Sequence, residues 1–367
     1  MTFQIANKID FIEDRELQAF VLIEEAGNSL PSFQLTFTTS DESILHLLHE
    51  ENDLKVSYGK DQNNLLTSIL VPLKIESARV GENKRQITCS GLYSALLFLG
   101  NSNLFLSSKK SGLEVLKDIA SKYFKVIGNV DKSKDSQVWI QHNITDRTFL
   151  NNLWLRSDLG DSFPSIGITS DGRFVLKDTL KFLKEDYDWR FVTELKDTTK
   201  DILYDPDPVF SFDSSLVNNW TGYGRQKLIY NPEEGTTTYV KELADNFIAN
   251  NKSVVKREGI EKRFAAIGVV NDNVHPNYHS SYQYNIANLA QLSSLKLTLS
   301  FSGEFKDVKV LDKVLYLEDS VNDLTNKSAE YHSGTYIVSK VSRSFSTRVL
   351  TTLVQICREA PNKTIKG

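Results

Sequence analysis

The chain has 367 residues, more than one hydrophobic core usually organises, so two or three domains are expected. Hydrophobic residues make up 40% and charged ones 25%, with 20 Phe, 14 Tyr and a single Met, a balance that fits a folded protein tilted towards β-structure. The formal charge of −4 argues against a protein that holds nucleic acid by neutralising phosphates, and no apolar run approaches the ~20 residues of a membrane span. No charged-then-apolar leader opens the chain, so a soluble protein made in a cytoplasm is the expectation.

The first hundred residues alternate in period two. Phe33, Leu35 and Phe37 share one face, and Ile69, Val71, Leu73 and Ile75 alternate with Leu70, Pro72, Lys74 and Glu76. Between them Ser43-Ile-Leu-His-Leu-Leu-His-Glu50 predicts a short helix, capped by Ser40 or Asp41. The loop Arg79-Val-Gly-Glu-Asn-Lys84 leads into Arg85-Gln-Ile-Thr-Cys-Ser90, and residues 1–106 read as a small barrel or sandwich. An α/β section is expected over 107–187. Its first helix, in Ser111-Gly-Leu-Glu-Val-Leu-Lys-Asp-Ile-Ala-Ser-Lys-Tyr-Phe124, aligns Leu116, Ile119, Ala120 and Tyr123 on one face. Its second aligns Phe149, Leu150, Leu153 and Trp154, and Asp171-Gly172 marks a hairpin between 165–169 and 173–177.

Strands return over 188–235, for example Val209-Phe-Ser-Phe212 and Gln226-Lys-Leu-Ile-Tyr230. Residues 236–292 read as a mostly helical, polar insertion that contains the Lys/Arg/Glu-rich run 252–263, and strands fill 293–360 before a tail at 361–367. The fold class is therefore a β-rich, multidomain α+β protein. A long-period echo is visible: Ile75-Glu-Ser-Ala-Arg-Val80, a loop and a strand ending near Cys89 resemble Ile337-Val-Ser-Lys-Val-Ser342, a loop and a strand ending at Cys357.

Chemical motifs are sparse. His46 and His49 lie three apart and His275 and His279 four apart, but no third ligand stands at metal spacing, and Pro276 opposes a helical pair. The carboxylates of Glu185-Asp-Tyr-Asp188 and Asp205-Pro-Asp-Pro208 have the chemistry of a glycoside hydrolase pair, yet read more simply as a solvated loop and a turn. Cys89 and Cys357 sit in strand-like segments outside any nucleophile or redox motif and read as buried thiols. Gly222-Tyr-Gly224 lacks the remainder of a phosphate loop. Trp139, Trp154, Trp189 and Trp220 have the stacking surface a carbohydrate binder needs, although Trp154 falls in an apolar helical ladder. No catalytic, cofactor or metal residue is assigned.

Three stretches carry a family resemblance: Ser111-Gly-Leu-Glu-Val-Leu-Lys-Asp-Ile-Ala-Ser-Lys-Tyr123; Asn143-Ile-Thr-Asp-Arg-Thr-Phe-Leu-Asn-Asn-Leu-Trp-Leu-Arg156 with Gly167-Ile-Thr-Ser-Asp-Gly-Arg-Phe-Val-Leu-Lys-Asp178; and Ser333-Gly-Thr-Tyr-Ile-Val-Ser-Lys-Val341 with the strand ending Gln355-Ile-Cys-Arg-Glu359. Their order resembles the baseplate hub proteins of contractile-tailed bacteriophages and the N-terminal hub part of type VI secretion VgrG proteins. The insertion 236–292 matches no segment of that family. The chain ends at Gly367 without the oligosaccharide-binding domain and spike of VgrG, so a stand-alone hub with a separate spike polypeptide is expected.

The resemblance implies two tail-tube-like β-barrel domains per chain and a homotrimer whose six barrels form a pseudo-hexameric ring. Such a ring joins the six-fold tail tube to the three-fold central spike, with tape-measure and baseplate wedge proteins as further partners. It implies a virion protein of the tail baseplate, assembled in the host cytoplasm, with an acidic channel wall through which DNA passes without specific binding. The alternatives are a tail-associated cell-wall hydrolase and a receptor- or carbohydrate-binding tail protein.

Overall fold

The structure, a computed structural model, describes residues 1–13, 16–59, 65–130, 132–195, 199–212, 224–231, 234–243, 264–270, 275, 277–303, 305–318, 332–346 and 349–359. The first β-domain contains β1 (Thr2–Ile5), β2 (Lys8–Ile9), β3 (Leu17–Glu25), β4 (Ser32–Thr39), α1 (Ser43–Leu47), β5 (Leu54–Tyr58), β6 (Leu66–Arg79) and β7 (Arg85–Tyr93). The middle section follows as α2 (Leu97–Gly100), β8 (Ser102–Lys110), α3 (Gly112–Ala120), β9 (Lys125–Gly128), β10 (Gln137–Thr145), α4 (Asp146–Arg156), β11 (Pro164–Ile168), β12 (Arg173–Asp178) and α5 (Thr179–Phe182). Then come β13 (Trp189–Val192), β14 (Asp201–Leu203), β15 (Val209–Phe212), β16 (Gly224–Asn231), β17 (Thr236–Leu243), β18 (Phe264–Val270) and α6 (Tyr278–Leu292). The chain closes with β19 (Leu295–Ser302), β20 (Lys313–Tyr316), β21 (Gly334–Ser346) and β22 (Val349–Arg358).

The β-rich, multidomain organisation is as expected, and the two β-domains share one fourteen-stranded sheet. In the first, β3, β4, β7, β6 and β5 lie side by side, each pair antiparallel. In the second, β15, β19, β22, β21 and β20 lie side by side in the same way. The two sets run in the same sequence order, so one five-strand motif occurs twice. The motifs join where β21 pairs with β3, from Lys340↔Glu25 to Phe345↔Phe20.

Period-two alternation builds both cores on one face of this sheet. Phe33, Leu35 and Phe37 of β4 are buried, and so are Leu295, Leu297, Leu299 and Phe301 of β19. The expected phase of β6 is inverted at its centre. A β-bulge between Pro72 and Lys74 adds one residue, so Leu70 is fully buried and Ile75 packs on the core while Leu73 is 48% exposed. The N-cap of α1 is Glu42, without a side-chain bond, rather than Ser40 or Asp41, although Asp41 Oδ1 accepts the Ser43 N–H at 2.9 Å.

The middle section starts slightly earlier than residue 107, because Phe98 of α2 and the β8–β10 ladder belong to its core. Its helices stand as the sequence indicates. Ser111 and Glu114 form a reciprocal capping box on α3, and Thr145 caps α4. Residues 236–292, expected to be mostly helical, hold the strands β17 and β18 as well as α6. Thr236-Thr-Thr-Tyr-Val240 and Phe264-Ala-Ala-Ile-Gly-Val-Val270 are rich in β-branched and aromatic residues, which suit a pleated surface. β16 pairs with them in a separate three-stranded sheet, so among the described residues the second motif breaks at Phe212 and resumes at Leu295. The basic run 252–263 and the tail 361–367 lie outside the described residues. Helix α6 packs on the middle section: Asn285 Nδ2 donates to Leu155 O (3.1 Å) and Ser157 O (2.8 Å), and the Arg156 guanidinium lies over the Tyr278 ring.

Candidate functional surface

The face of the shared sheet opposite the two cores is polar, and its rows can be followed strand by strand. One row runs Ser302, Thr351, Ser344, Val21, Gln34, Ser90, Lys74, each residue directly opposite the next. A neighbouring row runs Ala19, Thr36, Thr88, Glu76, with the Thr36 and Thr88 hydroxyls 3.3 Å apart. Thr298, Ser300, Ser342 and Gln355 continue the same chemistry on the second motif, interrupted by Leu353, which stands between Ser300 and Ser342, and by Ile23 opposite Ser342. Two ion pairs lie on this face, Lys74 with Glu76 at 2.6 Å and Lys340 with Glu25 at 2.5 Å across the junction strands, and Lys55 and Lys296 lie on it as well. The surface is rich in hydroxyl and amide groups.

At one end this face is covered. Ile337 and Cys357 pack there against Phe163, Val175 and Phe182 of the middle section, and Ala26 of the β3–β4 connection bridges to Gly167 of β11. Aligning the bulge of β6 with the bulge of β21, between Val338 and Lys340, matches Ile75 to Val341 and Cys89 to Val354. The sequence echo thus identified the right two hairpins in the wrong register. Cys89 faces the first core, whereas Cys357 faces the middle section. Both thiols are free, and burial pushes each up to about 12. The clearer echo lies elsewhere: Phe33-Gln-Leu-Thr-Phe-Thr38 and Leu297-Thr-Leu-Ser-Phe-Ser302 occupy equivalent strands and share their alternation of apolar and hydroxyl residues.

A buried polar network sits where the two motifs and the middle section meet. Glu24 of β3 and Arg343 of β21 are 2% and 1% exposed, with Arg343 Nη1 3.5 Å from Glu24 Oε2. Arg343 Nη2 donates to Val308 O, and Glu24 Oε1 accepts from the Ser170 N–H at 2.7 Å. The Tyr58 hydroxyl lies 2.9 Å from Ser170 Oγ, and its ring packs edge-on against Phe305 and Phe345. Burial raises the Tyr58 hydroxyl above its ordinary range, so it stays protonated. Arg343 is held charged by Glu24.

The other sequence candidates are scattered. His49 Nε2 lies 2.9 Å from Asn52 Nδ2, and His275 Nδ1 accepts the Asn277 N–H. Among the described residues no group of three His, Cys, Asp or Glu is placed to hold a metal. Asp188 Oδ2 accepts the Lys313 N–H at 2.9 Å, fastening β13 to β20, and Glu185 Oε1 accepts from Asn129 Nδ2 at 3.1 Å. Asp205 Oδ2 accepts from Ser300 Oγ, and Asp207 sits in the left-handed region at φ 74° within the turn before β15. Trp139, Trp154 and Trp189 donate their indole N–H groups to Lys110 O, Pro164 O and Asp312 Oδ2. Trp220 and Gly222 lie outside the described residues. A cavity of about 180 Å³ beside Trp154, Leu292, Leu311 and Cys357 contains no carboxylate in its lining.

Asp312, which composition does not single out, is the most perturbed of these acids. Burial pushes its carboxyl up to about 7, and the neighbouring Asp188 acts in the same direction. The folded chain therefore binds more protons than the unfolded chain between pH 3.8 and about 7. Its contribution to stability is full below that window and is lost as pH rises through it. Asp312→Asn keeps an acceptor for Trp189 and the Lys309 N–H, so the wild type is expected to lose on the order of 2 kcal/mol more than the variant between pH 4 and 8. Urea unfolding at both pH values checks this; equal losses would contradict it.

No protein-family model and no curated protein matches the chain. Solved structures do. The tail protein from Neisseria meningitidis MC58 aligns over 98% of this chain and 96% of its own, with a TM-score of 0.61 at 11% identity. The 43 kDa tail protein of prophage MuSo2 from Shewanella oneidensis aligns over 98% of both chains, with a TM-score of 0.61 at 10% identity. The E. coli c3393 protein, a type VI secretion component with structural similarity to the bacteriophage T4 tail proteins gp27 and gp5, aligns over 100% of this chain and 78% of its own, with a TM-score of 0.54 at 9% identity. A mostly β, multidomain chain containing one strand motif twice thus has the fold of phage tail proteins and of this type VI secretion component.

Proposed function

We propose that the protein is a structural hub of a phage tail baseplate. Three copies form a ring of six similar β-domains, which seats the six-fold tail tube on one side and the three-fold central spike on the other. The observation that carries this is the repeated five-strand motif within one chain. Two similar but non-identical domains per subunit let a three-fold assembly present six nearly equivalent positions, which resolves the symmetry mismatch geometrically. The likeness to tail proteins over nearly the whole chain supports the same reading.

The hydroxyl-rich face is the surface assigned to the channel wall. Phosphates passing such a wall meet no cluster of unpaired cations among the described residues, and without counterion release binding stays weak. Tape-measure and wedge proteins would meet the outer surfaces, and the particle would assemble in the host cytoplasm. No reaction is assigned, because Asp188, Glu185 and Asp205 are engaged by their own chain.

Light scattering on the purified 41.6 kDa chain, alone and with the spike protein, tests the ring. The expected mass is about three times that of the monomer. A chain that stays monomeric in both conditions overturns the hub reading.

A further inference from the structure

The middle section has a groove between a helix and an open strand edge. Its three-stranded sheet runs β11, β12, β9, so β9 stands at the rim, and its outer edge has no partner among the described residues. The Lys125 N–H donates to Gly172 O at 2.9 Å, with Lys125 in register with Arg173. In a parallel ladder of this register the main-chain groups of Lys125 and Ile127 turn towards β12, and those of Val126 and Gly128 turn to the open side. There a groove of about 360 Å³ is lined by Lys117, Asp118 and Ser121 of α3 and, on the sheet side, by Val126, Gly128 and Leu176. Its walls are fastened from outside. Lys117 Nζ donates to Val130 O, bracing the chain after β9 against α3, and Asp118 is held by Lys110 at 2.5 Å. Asn129 Oδ1 accepts the Asp178 N–H at 2.9 Å, which fixes the far end of β9. Ser121 and Gly128 remain exposed and Val126 half-buried.

We propose that this groove binds an extended segment of a different protein, which adds to the sheet as a fourth strand beside β9. The N–H and C=O groups of Val126 and Gly128 make an alternating row of donors and acceptors, and a second extended main chain matches such a row residue for residue. A helix has its own main-chain groups engaged and cannot match it. Side chains of a strand alternate between its two faces, so one set of the occupant's side chains falls beside Val126 and Leu176, where aliphatic residues suit the lining. Lys125, at the start of β9, is exposed and forms no ion pair among the described residues. With Lys117 on the opposite wall it favours an acidic residue in the occupant. The groove belongs to the middle section alone. No residue of either five-strand motif lines it, so it stands or falls independently of the ring proposed above.

The test selects peptides from a random-sequence library on the full-length chain and titrates an enriched peptide by fluorescence anisotropy. Ser121→Trp, a change at an exposed position that fills the groove from the helix side, is expected to weaken binding at least about tenfold. Val126→Pro removes an N–H that β12 does not use, and is expected to weaken binding about fivefold. Thermal unfolding shows whether each variant keeps its fold, and Ser121→Trp leaves the sheet untouched. N-methylation of alternate peptide residues supplies the signature of strand addition. Methyl groups in one phase are expected to abolish binding and those in the other phase to leave it, because only alternate residues face a given edge. No enriched peptide, equal affinity for the wild type and Ser121→Trp, or the same response to both methylation phases overturns the proposal. Self-association that Ser121→Trp abolishes would put a second copy in the groove and overturn the separate partner. The mass of the assembled chain is expected to be the same for Ser121→Trp and the wild type, so failure of the groove and failure of the ring are read separately.

Discussion

Glu24→Ala is expected to destabilise the protein by about 3–5 kcal/mol, because it leaves the Arg343 guanidinium buried without its carboxylate. The site offers little relief, since Arg343 is 1% exposed and lies between the first motif and the ring of Phe305. Removing both charges tells a different story. Glu24→Leu with Arg343→Met buries no ion, and its cost is expected to fall to about 1 kcal/mol, set by the Ser170 N–H that loses its acceptor. A double-mutant cycle by urea unfolding measures the coupling. A loss below 1 kcal/mol for Glu24→Ala alone would show that solvent reaches the pair. Because the network ties β3, β21 and the middle section together, the single variant is also expected to loosen their junction, read as faster hydrogen exchange along Lys340–Phe345.

Gly91→Ala is expected to cost about 3 kcal/mol through overpacking alone. Its φ is ordinary, so backbone strain is not the cause. A Cβ at this position would lie 1.9 Å from Val71 O and 2.9 Å from Phe33 Cε1. The bulge in β6 brings the Val71 carbonyl over β7, and only a residue without a side chain fits beneath it. The equivalent position in the second motif is Ile356, a fully buried side chain. Thermal unfolding of Gly91→Ala checks the estimate; a melting temperature within a degree or two of the wild type would mean that β6 shifts freely at its bulge.

Local signals were legible where one residue type meets one physical demand. Ser111 and Glu114 supply reciprocal hydrogen bonds to the start of α3, and Gly172, at φ 80°, supplies the left-handed residue of the β11–β12 turn. The alternation of Phe33, Leu35 and Phe37 correctly marked a strand with one buried face. The β6 phase failed at Leu70 and Leu73 because a bulge leaves no reliable trace in periodicity: one extra residue breaks the alternation between the two sides of the bulge. The insertion failed because a polar composition suits a solvated strand as well as a helix, and β-branched content was the better signal in 236–243.

The sequence by itself determined the β-rich class, the two main helices of the middle section, and the presence of two related hairpins. These depend on spacing and local chemistry within a dozen residues. Only the tertiary structure decided that the repeats are joined edge to edge by β21 and β3, that Glu24 and Arg343 meet beneath that junction, and that the Ser, Thr and Gln residues of many strands form one polar face. The β3–β21 junction is set by closing a separation of 315 residues, where the hydrophobic pattern constrains which face is buried but not which edge is met.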